Sequence, residues 1–345
     1  MKIVIFGAGS IGVYLGGALL AGGADVLMIG RARMAERILH HGAHLTDLQG
    51  REVRLSGRQV PFTEDPGELG QADLILVTVK SADTETAANA IYAYANPSAL
   101  VVSFQNGVGN ADMLRSRLTG WKVLGGMVPF NVVQMDGNRF HRGTEGELMV
   151  EQSPAIAPWK AAFAAAGLPL VERADFVEVQ WGKLLLNLNN PVNALSGIPL
   201  KKQLSLRAYR RCLALLIEEG IATLKVAGIH PAKVAKMSAR WLPLVLRLPD
   251  WLFKRMAGAM LRIDPQARSS MWEDLQSGRR TEVDYLNGAI VSLAASLGRT
   301  APANQRIMEL VHAAHRGRKT SYEGDDLYRL LTSPAPANAA MRTSG

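Results

Sequence analysis

The sequence predicts an α/β protein with an N-terminal parallel sheet and a mostly α-helical C-terminal domain. Three observations predict this class. A glycine-rich turn directly follows the first apolar strand, apolar strands then alternate with helical stretches, and beyond about residue 175 the apolar residues recur at helical spacing. Alternation of strands and helices is typical of a parallel sheet with helices on both faces.

Five apolar runs predict the strands of the sheet. They cover residues 2–6, 24–31, 71–80, 99–109 and 121–128. Near-continuous apolar runs are typical of parallel strands that are buried on both faces. A further stretch, 131–151, contains the turn signals Asp136-Gly137 and Gly143, so we expect it to form a small antiparallel addition.

The second half of the chain has helical spacing. Residues 207–228 form an amphipathic pattern that ends at Gly228, a plausible helix C-terminus, and residues 281–298 and 301–317 are also helical. We therefore divide the chain into three parts by sequence. They are a nucleotide-binding domain (1–174), a helical substrate and catalytic domain (175–330) and a small, proline-rich tail expected to be disordered (331–345).

Composition narrows the functional class. A chain of 345 residues is long for one core, and its single cysteine, Cys212, excludes a disulfide within the chain. An apolar strand beginning at residue 2 leaves no room for a signal peptide, and no run of about 18 uncharged apolar residues predicts a membrane helix. We therefore expect a cytoplasmic protein.

The remaining partner classes follow from charge and from one apolar segment. The net charge of +9 is spread along the chain without a zinc-finger or stacking motif, so we expect no nucleic acid. Residues 241–263 are apolar but interrupted by prolines and charges, which favours core or subunit interface over membrane binding. The histidines His40, His41 and His44 lack residues to complete a metal site, so we expect no metal.

The glycine-rich turn indicates a dinucleotide. Residues 7–12 read G-x-G-x-x-G directly after a strand and at the start of a helix, which is the context of a Rossmann-type pyrophosphate site. The first glycine permits the tight turn, the second lets the backbone approach the pyrophosphate, and the third allows close helix–strand packing. The predicted cofactor-binding residues of the turn are Gly7, Ala8, Gly9, Ser10, Ile11 and Gly12.

The end of the second strand selects the cofactor. NAD sites place a carboxylate about 20 residues after the glycines, to bond the ribose 2′-hydroxyl. Here that position reads Gly30-Arg31, and an arginine instead suits a 2′-phosphate, so the sequence predicts NADP(H). Lys80 and Asn106 follow two other predicted strands, where ligands bind in this architecture, although Lys80 alone is equally consistent with a solvated strand end.

A polar stretch within a leucine-rich helix predicts a second functional region. In WGKLLLNLNNPVNAL (181–195), helical geometry puts Lys183, Asn187 and Asn190 on one face and leucines on the other. The alternatives are a solvated stripe and the lining of a cleft, and the number of asparagines among leucines favours the cleft. Pro191 cannot donate to the carbonyl of residue 187, so we expect the helix to kink or end there.

These motifs together resemble the ketopantoate reductase family (2-dehydropantoate 2-reductases), from residue 1 to about 318. The resemblance rests on GAGSIG at 7–12, VTVK at 77–80, FQNGVG at 104–109, WGKLLLN at 181–187 and SSMWEDLQSGRRTEVDYLNG at 269–288. It implies reduction of 2-dehydropantoate to pantoate with hydride from NADPH, a step of pantothenate biosynthesis. It also allows a homodimer through the helical domain.

The resemblance implies roles for individual residues. Lys183 matches the lysine that supplies the proton, and Glu282 matches an essential glutamate that contacts substrate and cofactor. An ammonium suits this role because hydride attack on C2 creates an alkoxide that must be stabilised and protonated. The implied substrate-binding residues are Asn106, Asn187, Asn190 and Ser270.

Three departures from the family pattern leave the substrate open. The spacing from Asn187 to Asn190-Pro191 is one residue shorter than in the best-known members, Leu200 replaces an asparagine, and the 238–268 segment is longer than usual. The alternatives are a reductase or dehydrogenase of the same fold that acts on another branched 2-oxo or hydroxy acid and, in a different class, a non-catalytic NADPH-binding sensor. Retention of both Lys183 and Glu282 disfavours the sensor.

Overall fold

The computed structural model describes residues 1–233, 239–256, 265–317 and 321–333. The chain forms two compact units, Met1–Phe176 and Val177–Gly345. The division lies close to the boundary after residue 174 expected from the sequence. No helix among the described residues is both long enough and apolar enough to cross a membrane. The predicted tail falls mostly at 334–345, outside the described residues.

The N-terminal unit contains the strands. In chain order they are β1 (Lys2–Phe6), β2 (Asp25–Ile29), β3 (Ala43–Asp47), β4 (Glu52–Leu55), β5 (Phe62–Thr63), β6 (Leu74–Val77), β7 (Leu100–Ser103), β8 (Lys122–Met127), β9 (Val132–Met135), β10 (Arg139–Arg142), β11 (Leu148–Glu151) and β12 (Leu170–Arg173). Eight of them form the main sheet, in the order β12-β11-β8-β7-β6-β1-β2-β5. Only the β8–β11 pair of this sheet is antiparallel. The Rossmann-type sheet and all five strands predicted for it are thereby confirmed.

Helices cover the main sheet and make up the described part of the C-terminal unit. The N-terminal unit has α1 (Ser10–Ala21), α2 (Ala32–His41), α3 (Thr84–Tyr94), α4 (Asn110–Arg117) and α5 (Lys160–Ala165). The C-terminal unit has α6 (Phe176–Asn187), α7 (Asn189–Ser196), α8 (Leu200–Ser205), α9 (Arg207–Val226), α10 (Leu242–Leu246), α11 (Asp250–Met256), α12 (Ser270–Gln276), α13 (Val283–Ser296), α14 (Pro302–His315) and α15 (Gly324–Thr332). The predicted helical character of the second half is confirmed.

A second, four-stranded sheet covers the outer face of α1, in the order β4-β3-β10-β9. An added Cβ at Gly16 would approach Met28 and Ile5 of the main sheet, whereas one at Gly17 would approach Leu45 of the second sheet at 3.0 Å. Helix α1 is therefore buried between two sheets, which explains why its sequence is apolar on almost every face.

The expectation for residues 131–151 is confirmed only in part. β9 and β10 form the antiparallel hairpin, with Gly137 at a φ of +67° in its turn. The rest of the stretch, β11, instead joins the main sheet. Strands β3 and β4, which complete the second sheet, were not predicted, because their half-buried alternation is interrupted by charged residues.

Helix α9, the longest among the described residues, ends as the sequence predicts. Gly228 has a φ of +71°, and the Ile229 N–H donates to the Leu224 carbonyl at 2.9 Å. This bond is the six-residue closure of a Schellman motif, which favours glycine at the left-handed position.

The apolar segment after α9 is only partly core. Leu246 and Phe253 are buried, whereas Trp241 and Trp251 are 50% and 69% exposed. The buried Arg210 of α9 anchors the segment by donating to the carbonyls of Leu246 and Leu248, at 3.0 and 2.7 Å, and it also donates to the Leu204 carbonyl of α8 at 3.0 Å. Residues 257–263 of the segment lie outside the described residues, and the homodimer stays a prediction.

Candidate functional site

The glycine-rich turn has the backbone that the motif predicts. Gly7 has a φ of +108°, and a Cβ there would lie 2.5 Å from the Val79 nitrogen, so no other residue fits. A Cβ at Gly12 would lie 2.6 Å from the Gly7 carbonyl oxygen. At Gly9, the N-cap of α1, a Cβ would meet no described atom within 4 Å. The turn is therefore tight at Gly7 and Gly12 but open at Gly9. This is the position at which a Rossmann-type turn brings its backbone close to a pyrophosphate.

Four predicted cofactor positions meet at one edge of the main sheet. Gly7 follows β1, Arg31 follows β2, Lys80 follows β6 and Asn106 follows β7, and these four strands are parallel. The chain leaves β1 toward β2 on one side and returns to β6 on the other, so the strand order reverses between β1 and β6. Such a reversal opens a crevice at the carboxyl ends of the strands.

The turns that carry Lys80 and Asn106 are joined by a buried hydrogen-bond network. Asn110 Nδ2 donates to the Asn106 carbonyl at 2.7 Å and to Ser81 Oγ at 3.1 Å. The Ser81 hydroxyl donates to the same Asn106 carbonyl at 2.9 Å. The two predicted site residues are therefore held in a fixed register across neighbouring strands.

The network continues through Thr84 and Gln105. Gln105 Nε2 donates to Thr84 Oγ1 at 2.7 Å, and Ser103 Oγ donates to Gln105 Oε1 at 2.8 Å. Thr84 Oγ1 also lies 2.9 Å from Asn110 Oδ1. Sequence reasoning missed these supporting residues, although Gln105, a polar residue shortly after the buried strand β7, carries the signal used for Lys80.

Arg31 is placed at the sheet edge but is already paired. Its side chain is 87% exposed, and Nη2 lies 3.3 Å from Asp83 Oδ2. The sequence shows no carboxylate at the end of β2. The structure nevertheless brings one there, because Asp83 comes from the turn after β6.

Lys183 lies near the end of α6 and is half-buried, whereas Leu184, Leu185 and Leu188 are fully buried, as the helical pattern predicts. Burial lowers the pKa of the Lys183 ammonium to about 8, and the negative charge of Glu282 opposes this by raising it. Desolvation disfavours the charged ammonium, and a nearby carboxylate favours it. The two residues of the predicted catalytic pair therefore act on each other electrostatically.

Glu282 precedes helix α13 as its N-cap residue and is half-buried. Its carboxylate makes no capping hydrogen bond to α13, a helix whose residues are all described. The simplest structural explanation of an acidic residue at this position, a helix cap, therefore does not account for the side chain.

The helix of Lys183 ends earlier than its leucines suggest. α6 ends at Asn187 and α7 begins at Asn189, because Pro191 has no N–H to bond the Asn187 carbonyl. The predicted end of the helix is confirmed. The prediction that Asn190 shares one helix face with Lys183 is wrong, since Asn190 lies on α7. Asn187 and Asn190 are both half-buried.

Two other asparagines of the segment have structural roles. Asn189 and Gln203 exchange two amide hydrogen bonds, at 3.0 and 3.3 Å. The fully buried Asn193 accepts from the Ser269 N–H at 2.9 Å and donates to the Ile198 carbonyl at 3.0 Å. These bonds offset the cost of burying the amides. They use neither the Asn187 nor the Asn190 side chain.

Ser270 is exposed at the first position of α12. Its neighbour Ser269 fixes that helix start, because Ser269 Oγ accepts from the Trp272 N–H and donates to the Asn190 carbonyl, both at 3.2 Å. The segment that carries Asn190 therefore also positions Ser270.

Helix α9 sets the spacing between α6 and α13. A Cβ at Gly220 would lie 2.6 Å from Leu185 Cδ2 of α6 and 3.3 Å from Ile290 Cδ1 of α13. The adjacent Glu219 accepts from the Asn304 backbone N–H at 2.9 Å. Asn304 in turn accepts from Asn287 of α13 at 2.9 Å. Sequence reasoning missed these contacts, which support α6, the helix of Lys183, and α13, the helix that follows Glu282.

A metal centre has no ligand set among the described residues. Within them, no group of three or more His, Cys, Asp and Glu side chains is arranged to hold an ion.

Two family models match most of the chain. The model described as "Ketopantoate reductase PanE/ApbA" matches residues 3–155. The model described as "Ketopantoate reductase PanE/ApbA C terminal" matches residues 175–315. The two matches fall in the N-terminal and C-terminal units, respectively.

Individual proteins are similar over nearly the whole chain. The 2-dehydropantoate 2-reductase of Halobacterium salinarum is 27% identical, over 92% of this chain and 99% of that protein. A crystal structure of a PanE/ApbA family ketopantoate reductase from Ralstonia eutropha is 31% identical, with a TM-score of 0.78, and the match covers 92% of this chain and 99% of that chain. D-mandelate dehydrogenase with NADH and anilino(oxo)acetate has a TM-score of 0.75, with 92% and 99% coverage, but is only 21% identical, so that likeness is one of fold alone.

Proposed function

This chain belongs to the ketopantoate reductase family of oxidoreductases, and from that premise we propose that it reduces 2-dehydropantoate (ketopantoate) to pantoate with NADPH, a step of pantothenate biosynthesis. The observation that carries the proposal is the electrostatic effect of Glu282 on the half-buried Lys183. Burial lowers the pKa of Lys183 to about 8 while Glu282 raises it. A general acid with a pKa near the working pH is both charged and able to give up its proton.

The N-terminal unit carries the proposed cofactor residues. The open backbone at Gly9 and the start of α1 suit a pyrophosphate, which favours the positive end of a helix. Arg31 suits the 2′-phosphate that distinguishes NADPH from NADH, and Lys80 adds a second cation at the same sheet edge. NADPH, when bound, supplies the hydride that reduces C2 of the 2-oxo acid.

Lys183 is the proposed proton donor. Reduction at C2 leaves a negative charge on the carbonyl oxygen, which the Lys183 ammonium stabilises and then protonates to give the 2-hydroxy acid. Glu282 favours the charged form of Lys183, so the donor stays protonated at neutral pH. Glu282 is also proposed to accept a hydrogen bond from a substrate hydroxyl.

The proposed substrate residues are amides and a hydroxyl. Asn187 and Asn190 are half-buried, and Ser270 is exposed at the start of α12. Their donors suit the carboxylate and the carbonyl of a 2-oxo acid. Asn106 is proposed to contact both substrate and cofactor, and the Asn110 network fixes its backbone.

The experiment that tests the reaction is a panel of 2-oxo acids assayed with NADPH. Ketopantoate should give the highest kcat/KM, and Lys183→Ala should lower that value by at least about a hundredfold. Lys201→Ala, at an exposed lysine of α8, is the matched control, and its kcat/KM should equal that of wild type. Near-wild-type kcat/KM in Lys183→Ala would exclude Lys183 as the acid.

A second candidate substrate is another branched 2-oxo acid. Leu200 favours it, because this half-buried residue at the start of α8 is apolar where well-known ketopantoate reductases have an asparagine. The Leu200 side chain cannot form a hydrogen bond to a substrate hydroxyl, so a substrate without that hydroxyl would bind better. A higher kcat/KM for such an acid than for ketopantoate would establish this alternative, and NADPH binding without turnover of any oxo acid would favour a sensor.

The cofactor proposal has its own test. Arg31→Ala should raise the Kd of NADPH by about tenfold or more while changing the Kd of NADH little, because only NADPH carries the 2′-phosphate. An equal loss for both nucleotides would refute the assignment of Arg31.

A further inference from the structure

Arg31, the residue proposed to bind the 2′-phosphate, already forms an ion pair within the protein. Its partner is the Asp83 carboxylate, which is negatively charged like the phosphate. Asp83 Oδ2 lies 3.3 Å from Arg31 Nη2, and the two side chains are 46% and 87% exposed. The two residues are brought together by the tertiary fold, because Asp83 follows β6, Arg31 follows β2, and β1 lies between these two strands in the sheet.

The fold holds Asp83 more firmly than it holds Arg31. The Asp83 N–H donates to the Lys80 carbonyl at 2.8 Å. Its neighbours Ser81 and Thr84 are each only 3% exposed. Both belong to the network with Asn110 described above. The position of Asp83 is therefore fixed by buried contacts on either side, whereas the long and exposed Arg31 side chain is free to reorient toward a ligand.

We propose that Asp83 is a specificity-determining residue, which competes with the cofactor 2′-phosphate for Arg31 and so narrows the preference for NADPH over NADH. The inference rests on the proposed role of Arg31 in cofactor binding. Moving Arg31 onto a 2′-phosphate breaks its ion pair with Asp83, so the energy of that pair is subtracted from the binding energy of NADPH. A ribose 2′-hydroxyl has no such conflict, because a carboxylate accepts its hydrogen bond.

The test compares Kd values of NADPH and NADH, measured by fluorescence titration of the full chain at low ionic strength. Asp83→Asn keeps the shape of the side chain and removes its charge. It should lower the Kd of NADPH by about three- to tenfold, as expected for one charge at a partly exposed site, without lowering that of NADH. Asp112→Asn is the matched control, because Asp112 is an exposed partner of Arg115 on α4, and both Kd values should stay unchanged.

The double variant Arg31→Ala/Asp83→Asn separates competition for Arg31 from direct repulsion of the phosphate. If Asp83 acts through Arg31, the gain from Asp83→Asn disappears in the Arg31→Ala background. A gain of the same size in that background would overturn the inference.

The outcomes also separate this inference from the proposed function. If Arg31→Ala weakens NADPH selectively but Asp83→Asn leaves the NADPH to NADH ratio of Kd values unchanged, the inference fails and the cofactor proposal stands. If Arg31→Ala weakens both nucleotides equally, the assignment of Arg31 fails and the inference fails with it. An unchanged circular dichroism spectrum and Tm would show that each variant is folded.

Discussion

The Glu282 carboxylate acts on the Lys183 ammonium: burial lowers the pKa of Lys183 to about 8, and the Glu282 charge keeps it from falling further. The carboxylate precedes α13, and the ammonium lies near the end of α6. The two residues lie far apart in the sequence, and they interact only because the helices of the C-terminal unit pack together. Four predictions follow from this pair and from the contacts that support the two candidate regions.

The rate of 2-oxo acid reduction should fall as the pH rises through about 8. The proposed donor Lys183 is protonated below its pKa and loses its proton above it. Glu282→Gln removes a charge that raises this pKa, so the fall should begin at a lower pH. The measurement is kcat against pH for both proteins, and an identical alkaline limb in Glu282→Gln would contradict the electrostatic link.

Lys183→Met should stabilise the fold at pH 7. The pKa of Lys183 is lowered from 10.5 in the unfolded chain to about 8, so at pH 7 both states carry the charge and only the folded state bears the cost of burying it. The gain in the free energy of unfolding should be about 2 kcal/mol and should shrink as the pH rises from about 8 to above 10, because the unfolded wild-type chain then binds more protons than the folded one.

Urea unfolding at several pH values measures this difference. The exposed Lys201→Met serves as the control, for which we expect almost no change. A Lys183→Met variant that is less stable than wild type at pH 7 would show that the buried ammonium contributes net stability.

Gly220→Ala should impair catalysis without touching substrate. The new Cβ would lie 2.6 Å from Leu185 Cδ2, and because Leu185 is fully buried with little room to reorient, we expect α6 to move away from α9 and so to change its spacing from α13. Overpacking of this kind costs about 1–3 kcal/mol in the free energy of unfolding. The displacement should also move the alkaline limb of kcat, because it changes the distance between Lys183 and Glu282.

Gly288→Ala is the matched control for this helix interface. Its Cβ would meet the flexible end of Met308 at 3.2 Å, on the side of α13 that faces α14. We expect its alkaline limb to coincide with that of wild type. If both variants shift the limb equally, the effect is a general loss of packing rather than a change in the spacing of α6 and α13.

Asn110→Ala should weaken nucleotide binding through the backbone of Asn106. The substitution removes two buried hydrogen bonds, those from Asn110 Nδ2 to the Asn106 carbonyl and to Ser81 Oγ, at a cost of about 1–3 kcal/mol in the free energy of unfolding. We expect the Kd of NADPH to rise several-fold. Asn96→Ala, at an exposed turn, should leave the Kd unchanged. An Asn110→Ala protein that loses stability but binds NADPH normally would limit the network to a structural role.

Local sequence patterns were sufficient for the elements that form by local rules. Strands β1, β2, β6, β7 and β8 were predicted because each is a short run of apolar residues next to a turn signal. The ends of α6 and α9 were predicted because Pro191 lacks a donor and Gly228 tolerates a positive φ. In each case the physical cause lies in a few adjacent residues.

The same patterns failed where a partner lies far along the chain. The pairing of β10 with β3, nearly a hundred residues apart, could not be read from either strand alone. The asparagines among the leucines favoured a cleft, but the amides of Asn189 and Asn193 are satisfied within the protein by Gln203 and Ser269. A polar residue among leucines signals that a partner exists, but the partner is chosen by packing.

The sequence by itself determined the fold class, the glycine turn and the residue types of the candidate site, because spacing, backbone freedom and side-chain chemistry are local properties. Tertiary structure alone decided which charges meet. It placed the Asp83 carboxylate beside Arg31, where the sequence showed no carboxylate. It also buried Lys183, which lowers its pKa, and brought the Glu282 charge close enough to oppose that change. Electrostatic energies depend on distance and on exclusion of water, and both are set only once the chain has folded.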